Sequence, residues 1–99
     1  MSRFDVYQNP EGPGYLLDVQ ASILNELNTR VIIPLMERQQ APKPAKRLNP
    51  VFLIGDLEVV MVTQYITAIP VSLLKRPVAT LDACHDEIVN AIVMLTQGF

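Results

Sequence analysis

The chain has 99 residues and a formal net charge of −2, and 49% of its residues are apolar while only 18% are charged. A chain of this size buries roughly 60–70% of its unfolded surface, enough for one hydrophobic core, so we expect a single domain over residues 1–99. The net negative charge argues against general nucleic-acid binding, which needs clustered lysine and arginine. The low charged fraction predicts an apolar surface patch, and a patch of that kind favours a two-fold dimer.

The first third of the chain predicts a hairpin and a buried strand. Residues 4–8 alternate between apolar and polar side chains, which indicates a short strand. The turn-forming residues 9–14 should connect it to a second strand at residues 15–19. Residues 29–33 are apolar and rich in β-branched side chains, which is typical of a buried strand. Pro34 is expected to end this strand or to place it at a sheet edge.

The middle of the chain contains a basic loop and a second hairpin. Residues 41–47 include two prolines and three positive charges, and they are either a solvated loop or a docking loop for an acidic partner segment. Residues 51–54 and 57–62 flank Gly55-Asp56, a strong two-residue hairpin signal. Residues 66–71 read as one more extended segment. The apolar runs are far shorter than the roughly 20 residues that span a bilayer.

The end of the chain predicts one helix, over residues 82–96, with Asp82 as its N-cap. One face carries helically spaced apolar residues, and further apolar residues widen the arc until the helix must be buried on more than one side. These residues are Ile88, Val89, Ala91, Ile92, Val93, Met94 and Leu95. Gly98 suits a left-handed C-cap, against which Phe99 would fold back. The alternative is that the tip, Gln97-Gly98-Phe99, inserts into a partner.

Together these elements predict a mostly β domain of five or more antiparallel strands, closed by one C-terminal helix.

Candidate catalytic groups are few. His85 is the sole histidine and Cys84 the sole cysteine, so no intrachain disulfide can form and a reducing cytoplasm fits. Asp18 is a candidate to pair with an arginine such as Arg30. The acidic residues show no metal-ligand pattern, and we expect no cofactor. The pattern indicates a binding protein rather than an enzyme.

A series of short motifs follows in order along almost the whole chain. They are Asp18-Val19-Gln20, Arg30-Val31-Ile32-Ile33-Pro34-Leu35, Asn49-Pro50-Val51, Ile54-Gly55-Asp56, Met61-Val62-Thr63, Ile69-Pro70-Val71-Ser72 and Asn90-Ala91-Ile92, before the closing Gly98. This series resembles the CcdB toxins of toxin–antitoxin modules. The resemblance implies a five-stranded, SH3-like barrel with a small accessory sheet and a C-terminal helix, assembled as a homodimer in the cytoplasm.

The resemblance also implies partners. The dimer would wedge into the A subunit of DNA gyrase and trap the enzyme with its DNA cleaved, and a CcdA-like antitoxin would neutralise it. The toxin would meet DNA only indirectly, through the antitoxin complex, and would meet no membrane. The implied gyrase-binding residues are Ile23, Leu24, Val93, Leu95, Thr96, Gln97, Gly98 and Phe99. The implied antitoxin-binding residues are Ile23, Leu24, Val93, Thr96 and Gln97, and the implied dimer interface is Ile92, Leu95, Gly98 and Phe99.

One departure from the family pattern leaves alternatives open. The family ends in Trp-Gly-Ile, whose tryptophan stacks on an arginine of gyrase, but this chain has Gln97 at that position. One alternative is therefore a CcdB-like dimer that still binds antitoxin but no longer poisons gyrase. A further alternative is an endoribonuclease like the MazF toxins of the related barrel. His85 and Arg30 are the only pair available for that chemistry.

Overall fold

The computed structural model describes residues 2–98, which form seven strands, short 3-10 turns and one α-helix. The strands are β1 (Asp5–Gln8), β2 (Tyr15–Asp18), β3 (Thr29–Glu37), β4 (Val51–Ile54), β5 (Leu57–Met61), β6 (Thr67–Pro70) and β7 (Ala79–Thr80), and the helix is α1 (His85–Gln97). The predicted fold class, mostly β with one C-terminal helix, is confirmed.

The nine-residue strand β3 organises the sheet. Along one edge it pairs with β2, and along the other its first half pairs with β6 and its second half with β5. The remaining strands extend this arrangement in the order β4-β5-β3-β2-β1-β7, and every pairing is antiparallel. The result is a nearly closed, barrel-like sheet.

The prediction that Pro34 ends its strand or lies at a sheet edge was wrong, because β3 continues to Glu37 between two neighbouring strands. Proline lacks the N–H that a central strand normally donates. Pro34 is tolerated because neither neighbour on that side of β3 pairs with it. The β6 strand pairs with β3 only as far as Ile32, and β5 pairs with β3 only from Leu35 onward. The proline nitrogen therefore falls in the gap between two ladders, while its carbonyl accepts from the Val62 N–H at 3.0 Å.

Two apolar clusters lie on opposite faces of the sheet. The larger one contains residues of the β1–β2 and β4–β5 hairpins and of α1, whose Ile88 and Ala91 are fully buried. The smaller one consists of Tyr7, Leu16, Ile32 and Leu74, which belong to the other face. Because successive strand residues point to opposite faces, adjacent pairs such as Leu16-Leu17 serve both clusters. This two-sided burial explains why the strand segments read as continuous apolar runs.

The start of the helix differs from the prediction. Asp82 belongs to a 3-10 turn, Asp82–Cys84, and caps no helix with its side chain; α1 begins at His85. The buried Leu81 accounts for this, since its carbonyl accepts the Cys84 N–H at 2.9 Å and holds the turn. The predicted C-cap is confirmed: Gly98 has a φ of 82° and its N–H donates to the Met94 carbonyl at 3.0 Å. Phe99 lies outside the described residues.

Two turns depend on positive φ angles. Gly55 has a φ of 61° in the predicted hairpin between β4 and β5. Phe4, predicted to open the first strand, instead has a φ of 72° and precedes β1, because its N–H turns to donate to the Asp18 carbonyl at 2.6 Å. Its ring is buried in the larger cluster.

The β1–β2 loop gives a stability prediction. Gly14 has a φ of +90°, and a Cβ there would lie 2.7 Å from the Leu35 carbonyl oxygen. Gly14→Ala should therefore lower the free energy of unfolding by roughly 1–3 kcal/mol, measured by urea denaturation. Gly12→Ala, in the same loop but with open space around its Cβ, is the matched control and should stay within about 0.5 kcal/mol of wild type. Equal effects of both changes would contradict this reading.

Candidate functional site

A buried ion pair joins the end of β2 to the start of β3. The Arg30 Nε and Nη2 both donate to Asp18 Oδ2, at 3.0 and 2.5 Å, and both side chains are fully buried. The Gln20 N–H donates to the other carboxylate oxygen at 3.0 Å, and Arg30 Nη1 donates to Asn25 Oδ1 at 2.8 Å. The predicted pairing of Asp18 with Arg30 is confirmed. Gln20 and Asn25, which complete the network, were not predicted.

Burial and ion pairing shift the pKa of the Asp18 carboxyl in opposite directions. Burial raises its pKa above the ordinary value, while the hydrogen bonds from Arg30 and the Gln20 N–H oppose that rise. Burial also raises the pKa of the nearby Tyr7 hydroxyl, and the charges of Asp5 and Asp18 add to the rise. Tyr7 is therefore neutral at physiological pH. Among residues 2–98, Arg30 is the one charged side chain that donates hydrogen bonds to Asp18.

The polar network fixes the path of residues 19–28. The Gln20 amide receives the Val31 N–H at 3.0 Å and donates through Nε2 to the Leu24 carbonyl at 2.8 Å. Asn25, which accepts from Arg30, follows directly. The 3-10 turn Ser22–Leu24 itself contains no buried residue, so it is held by these polar contacts and not by apolar packing.

This turn presents apolar side chains to solvent. Ile23 is 91% exposed, the highest exposure among the large hydrophobic residues that the structure describes, and Leu24 and Leu27 are about half exposed. Large exposed apolar side chains grouped on one loop are typical of an interaction surface. The predicted pair Ile23 and Leu24 thus lies on an exposed loop, and hydrogen bonds from Gln20 and Asn25 hold that loop in position.

The second predicted group lies at the end of α1. The helix packs against the 3-10 turns Thr63–Tyr65 and Asp82–Cys84, and its burial decreases toward the C-terminus. Ile92 and Val93 are half-buried, whereas Leu95, Thr96, Gln97 and Gly98 are exposed. The Thr96 hydroxyl donates back to the Ile92 carbonyl at 2.9 Å, which leaves the aliphatic part of the side chain outward. Within residues 92–98, the helix end is therefore a capped tip whose one exposed apolar side chain, Leu95, has polar neighbours in sequence.

The pair offered for ribonuclease chemistry does not form a site. The Arg30 guanidinium is buried and donates to Asp18 and Asn25, so it is not available to a phosphate. His85 is exposed, its ring lies edge-on to Phe4 at 5.3 Å, and its Nδ1 is 3.4 Å from Asp86 Oδ1. Phosphodiester cleavage needs a base and a cation directed at one phosphate. These two side chains cannot supply that arrangement.

Other candidate chemistry is also limited. No group of three or more His, Cys, Asp or Glu residues within residues 2–98 is placed to hold a metal ion. None of the helical structure described is both long and apolar enough to cross a membrane. The basic loop is exposed at its lysines, and its far end is held by Asn49, which accepts from the Ala45 N–H at 3.0 Å and donates to the Met61 carbonyl at 3.1 Å.

Comparison with known proteins identifies the family. A family model described as CcdB protein matches residues 3–98. The chain belongs to the CcdB family. Members are toxins of toxin–antitoxin systems, act as non-enzymatic gyrase poisons and have an antitoxin and DNA gyrase as partners in general. No curated protein sequence matches the chain at a significant level. The family assignment therefore rests on the match over nearly the whole chain, which agrees with the fold.

The ion pair gives a stability prediction. Arg30→Met leaves the Asp18 carboxylate buried without its partner and should lower the free energy of unfolding by about 3–5 kcal/mol, measured by urea denaturation at pH 7. Arg38→Met removes the exposed Arg38–Glu58 pair and is the matched control, expected to cost at most about 1 kcal/mol.

The same variant has a defined pH dependence. Without Arg30, the folded-state pKa of Asp18 rises further above its unfolded value, so the protonated carboxyl favours the folded state. The stability deficit of Arg30→Met relative to wild type should therefore shrink as pH falls from about 7 to about 4. A constant deficit over this range would show that Asp18 is not the group left unpaired.

The cysteine gives a reactivity prediction. Burial raises the pKa of the Cys84 thiol, and the charge of Glu87 adds to the rise. Since the thiolate is the reacting form, alkylation by iodoacetamide at neutral pH should be slower than for a free cysteine, and its rate should keep rising above about pH 9. Glu87→Gln should shift the pH–rate profile to lower pH, whereas Glu26→Gln, in the loop before β3, should leave it unchanged. A rate plateau near neutral pH would contradict the raised pKa.

Proposed function

We propose that this protein is a homodimeric cytoplasmic toxin that binds the A subunit of DNA gyrase and traps the gyrase–DNA cleavage complex. The observation that carries the proposal is the CcdB family match over residues 3–98. The exposed Ile23 and the ordered tip of α1 support it, because both present apolar side chains on rigid elements. Preorganised contacts lose little conformational entropy on binding, which suits insertion into a large partner.

The proposed gyrase-binding surface contains two parts. The first is Ile23 and Leu24 on the 3-10 turn, and the second is the end of α1 with Val93, Leu95, Thr96, Gln97, Gly98 and Phe99. A CcdA-like antitoxin would cover Ile23, Leu24, Val93, Thr96 and Gln97, so that neutralisation would come from competition for one surface. The dimer interface would use Ile92, Leu95, Gly98 and Phe99. Half-burial of Ile92 and exposure of Leu95 are consistent with apolar area left for a partner to cover.

A second candidate function is favoured by one side chain. Gln97 is exposed at the tip of α1 and has no ring to stack on an arginine. A desolvated cation–π contact contributes about 2 kcal/mol, so its loss lowers affinity more than tenfold. The second candidate is thus a dimer that binds antitoxin and no longer poisons gyrase. Replacing Gln97 by tryptophan distinguishes the two functions.

The test uses purified gyrase, supercoiled plasmid and the purified full-length protein, with trapped cleavage complexes measured after detergent and protease treatment. We expect wild type to trap complexes and Ile23→Glu to need at least about tenfold more protein for the same signal. Leu53→Glu is the matched control, since Leu53 is 65% exposed on β4 and lies outside the proposed surface; it should behave as wild type.

Each outcome assigns the function. If wild type traps nothing but binds antitoxin, and Gln97→Trp traps complexes, the second candidate is correct. If neither wild type nor Gln97→Trp traps complexes at any concentration, gyrase poisoning is excluded for this chain. If Ile23→Glu and Leu53→Glu lose activity equally, the proposed surface is wrong although the activity is present.

A further inference from the structure

The segment that carries Ile23 and Leu24 has no buried side chain of its own. Every residue from 21 to 29 is exposed, while the flanking residues are buried, Gln20 with 4% of its surface exposed and Arg30 with none. A segment with few buried apolar contacts opens easily unless other interactions hold it. The order of this segment must therefore come from hydrogen bonds.

The backbone hydrogen bonds within the segment are local. The Leu24 N–H donates to the Ala21 carbonyl at 2.9 Å, and the Asn25 N–H donates to the Ser22 carbonyl at 3.2 Å. The Leu27 N–H donates to the Leu24 carbonyl at 3.2 Å. Bonds of this type have poor geometry, and one bond does not offset the conformational entropy lost when a single turn forms in water. The turn Ser22–Leu24 thus needs a connection to the sheet.

The Gln20 side chain supplies this connection. Its Oε1 accepts the Val31 N–H of β3 at 3.0 Å, and its Nε2 donates to the Leu24 carbonyl at 2.8 Å. The Val31 N–H can only donate and the Leu24 carbonyl can only accept. An amide carries one acceptor and one donor group, whereas an ionised carboxylate has only acceptors and a thioether has no donor. The amide therefore satisfies both backbone groups at once.

The other fixed points of the segment lie beyond the turn. Arg30 Nη1 donates to Asn25 Oδ1 at 2.8 Å, and the Asn28 carbonyl accepts the Val71 N–H at 2.9 Å. In the described part of the chain, residues 2–98, Gln20 is the one side chain that hydrogen-bonds to residues 21–24. The conformation of the turn is thus most sensitive to position 20.

We propose that Gln20 is a positioning residue for partner binding, because its amide holds the turn with Ile23 and Leu24 in one conformation and does not itself touch the partner. The inference rests on the function proposed above, in which this turn contacts gyrase and antitoxin. When only a fraction of the molecules has the competent conformation, the apparent dissociation constant rises in inverse proportion to that fraction. Loss of the Gln20 amide therefore weakens binding although the residue is buried.

The first measurement is amide hydrogen exchange by NMR, which does not involve gyrase. Gln20→Met replaces the amide by a thioether of similar length. We expect exchange at the Leu24, Asn25 and Leu27 N–H groups to accelerate at least about tenfold. The matched control is Asn49→Met, which removes another buried amide, the one that holds the basic loop. It should change exchange in the turn less than about twofold.

Wild type supplies a test that needs no variant. Its Leu24 and Asn25 N–H groups should exchange at least about tenfold more slowly than the intrinsic rates of an unstructured chain. Equal rates would show that the turn is not held in one conformation. That result overturns the proposal even if Gln20→Met does not fold.

The second measurement is gyrase trapping with variants that circular dichroism shows to be folded. Gln20→Met should need at least about tenfold more protein than wild type for the same signal, and Asn49→Met less than about threefold more. In the Ile23→Ala/Leu24→Ala background, Gln20→Met should cost less than about twofold, since the side chains that the amide positions are then absent. A residue with a merely structural role would cost the same factor in both backgrounds.

Three results would overturn the proposal. They are unchanged exchange in Gln20→Met, equal loss of trapping by Gln20→Met and Asn49→Met, and an undiminished cost of Gln20→Met in the Ile23→Ala/Leu24→Ala background. If wild type traps no cleavage complexes, the proposed function fails, and with it the role of Gln20 in gyrase binding. The exchange rates distinguish that failure from the failure of the connection itself.

Discussion

The buried Asp18–Arg30 ion pair is the interaction on which the displayed surface depends. Removing two charges from water costs several kcal/mol for each ion, and the cost is offset only when the geometry and the additional hydrogen bonds are good. Here every donor nitrogen of Arg30 has a partner, and both oxygens of Asp18 accept a hydrogen bond. Because Asn25 and Gln20 take part, the network can close only when residues 19–28 follow this path. The position of Ile23 therefore depends on the ion pair, which forms only when β2 and β3 are paired in this register.

The two parts of the proposed binding surface are held by different forces. The turn with Ile23 contains no buried residue and is fixed by polar contacts to Asp18, Arg30 and Val31. The tip of α1 is fixed by apolar packing of Ile88 and Ala91 and by the Gly98 cap. A substitution that weakens the apolar core thus acts first on the helix tip. A substitution in the ion-pair network acts first on the turn.

Much of the fold was predictable because its signals are local. The turn residues of the hairpins and the glycine cap at residue 98 depend on neighbours in sequence, and the structure confirms them. Pro34 and Asp82 were misjudged because tertiary context overrides the local preference. At Pro34 the two ladders on β3 leave a gap where no N–H is needed, and at Asp82 the buried Leu81 carbonyl closes a 3-10 turn first.

The candidate site was predictable only in part, for a related reason. The family resemblance implies Ile23 and Leu24, and an acidic residue inside an apolar strand predicts the pairing of Asp18 with Arg30. The partners Gln20 and Asn25 were not visible, because amide side chains on loops are usually solvated and only the three-dimensional path brings these two to Arg30.

The position of Gln97 explains how activity can vary within one fold. Gln97 is exposed in the last turn of α1, after the buried Ile88 and Ala91 have already fixed the helix, and the Gly98 N–H caps the helix through the Met94 carbonyl and not through residue 97. A side chain at position 97 can therefore change from an aromatic ring to an amide with little effect on folding free energy, since surface substitutions away from caps and cores usually stay within about 0.5 kcal/mol. The same change would alter a contact at the proposed partner interface by a larger amount. Affinity for a partner and stability of the fold are thus separable at this position, whereas at Asp18 and Arg30 they are coupled.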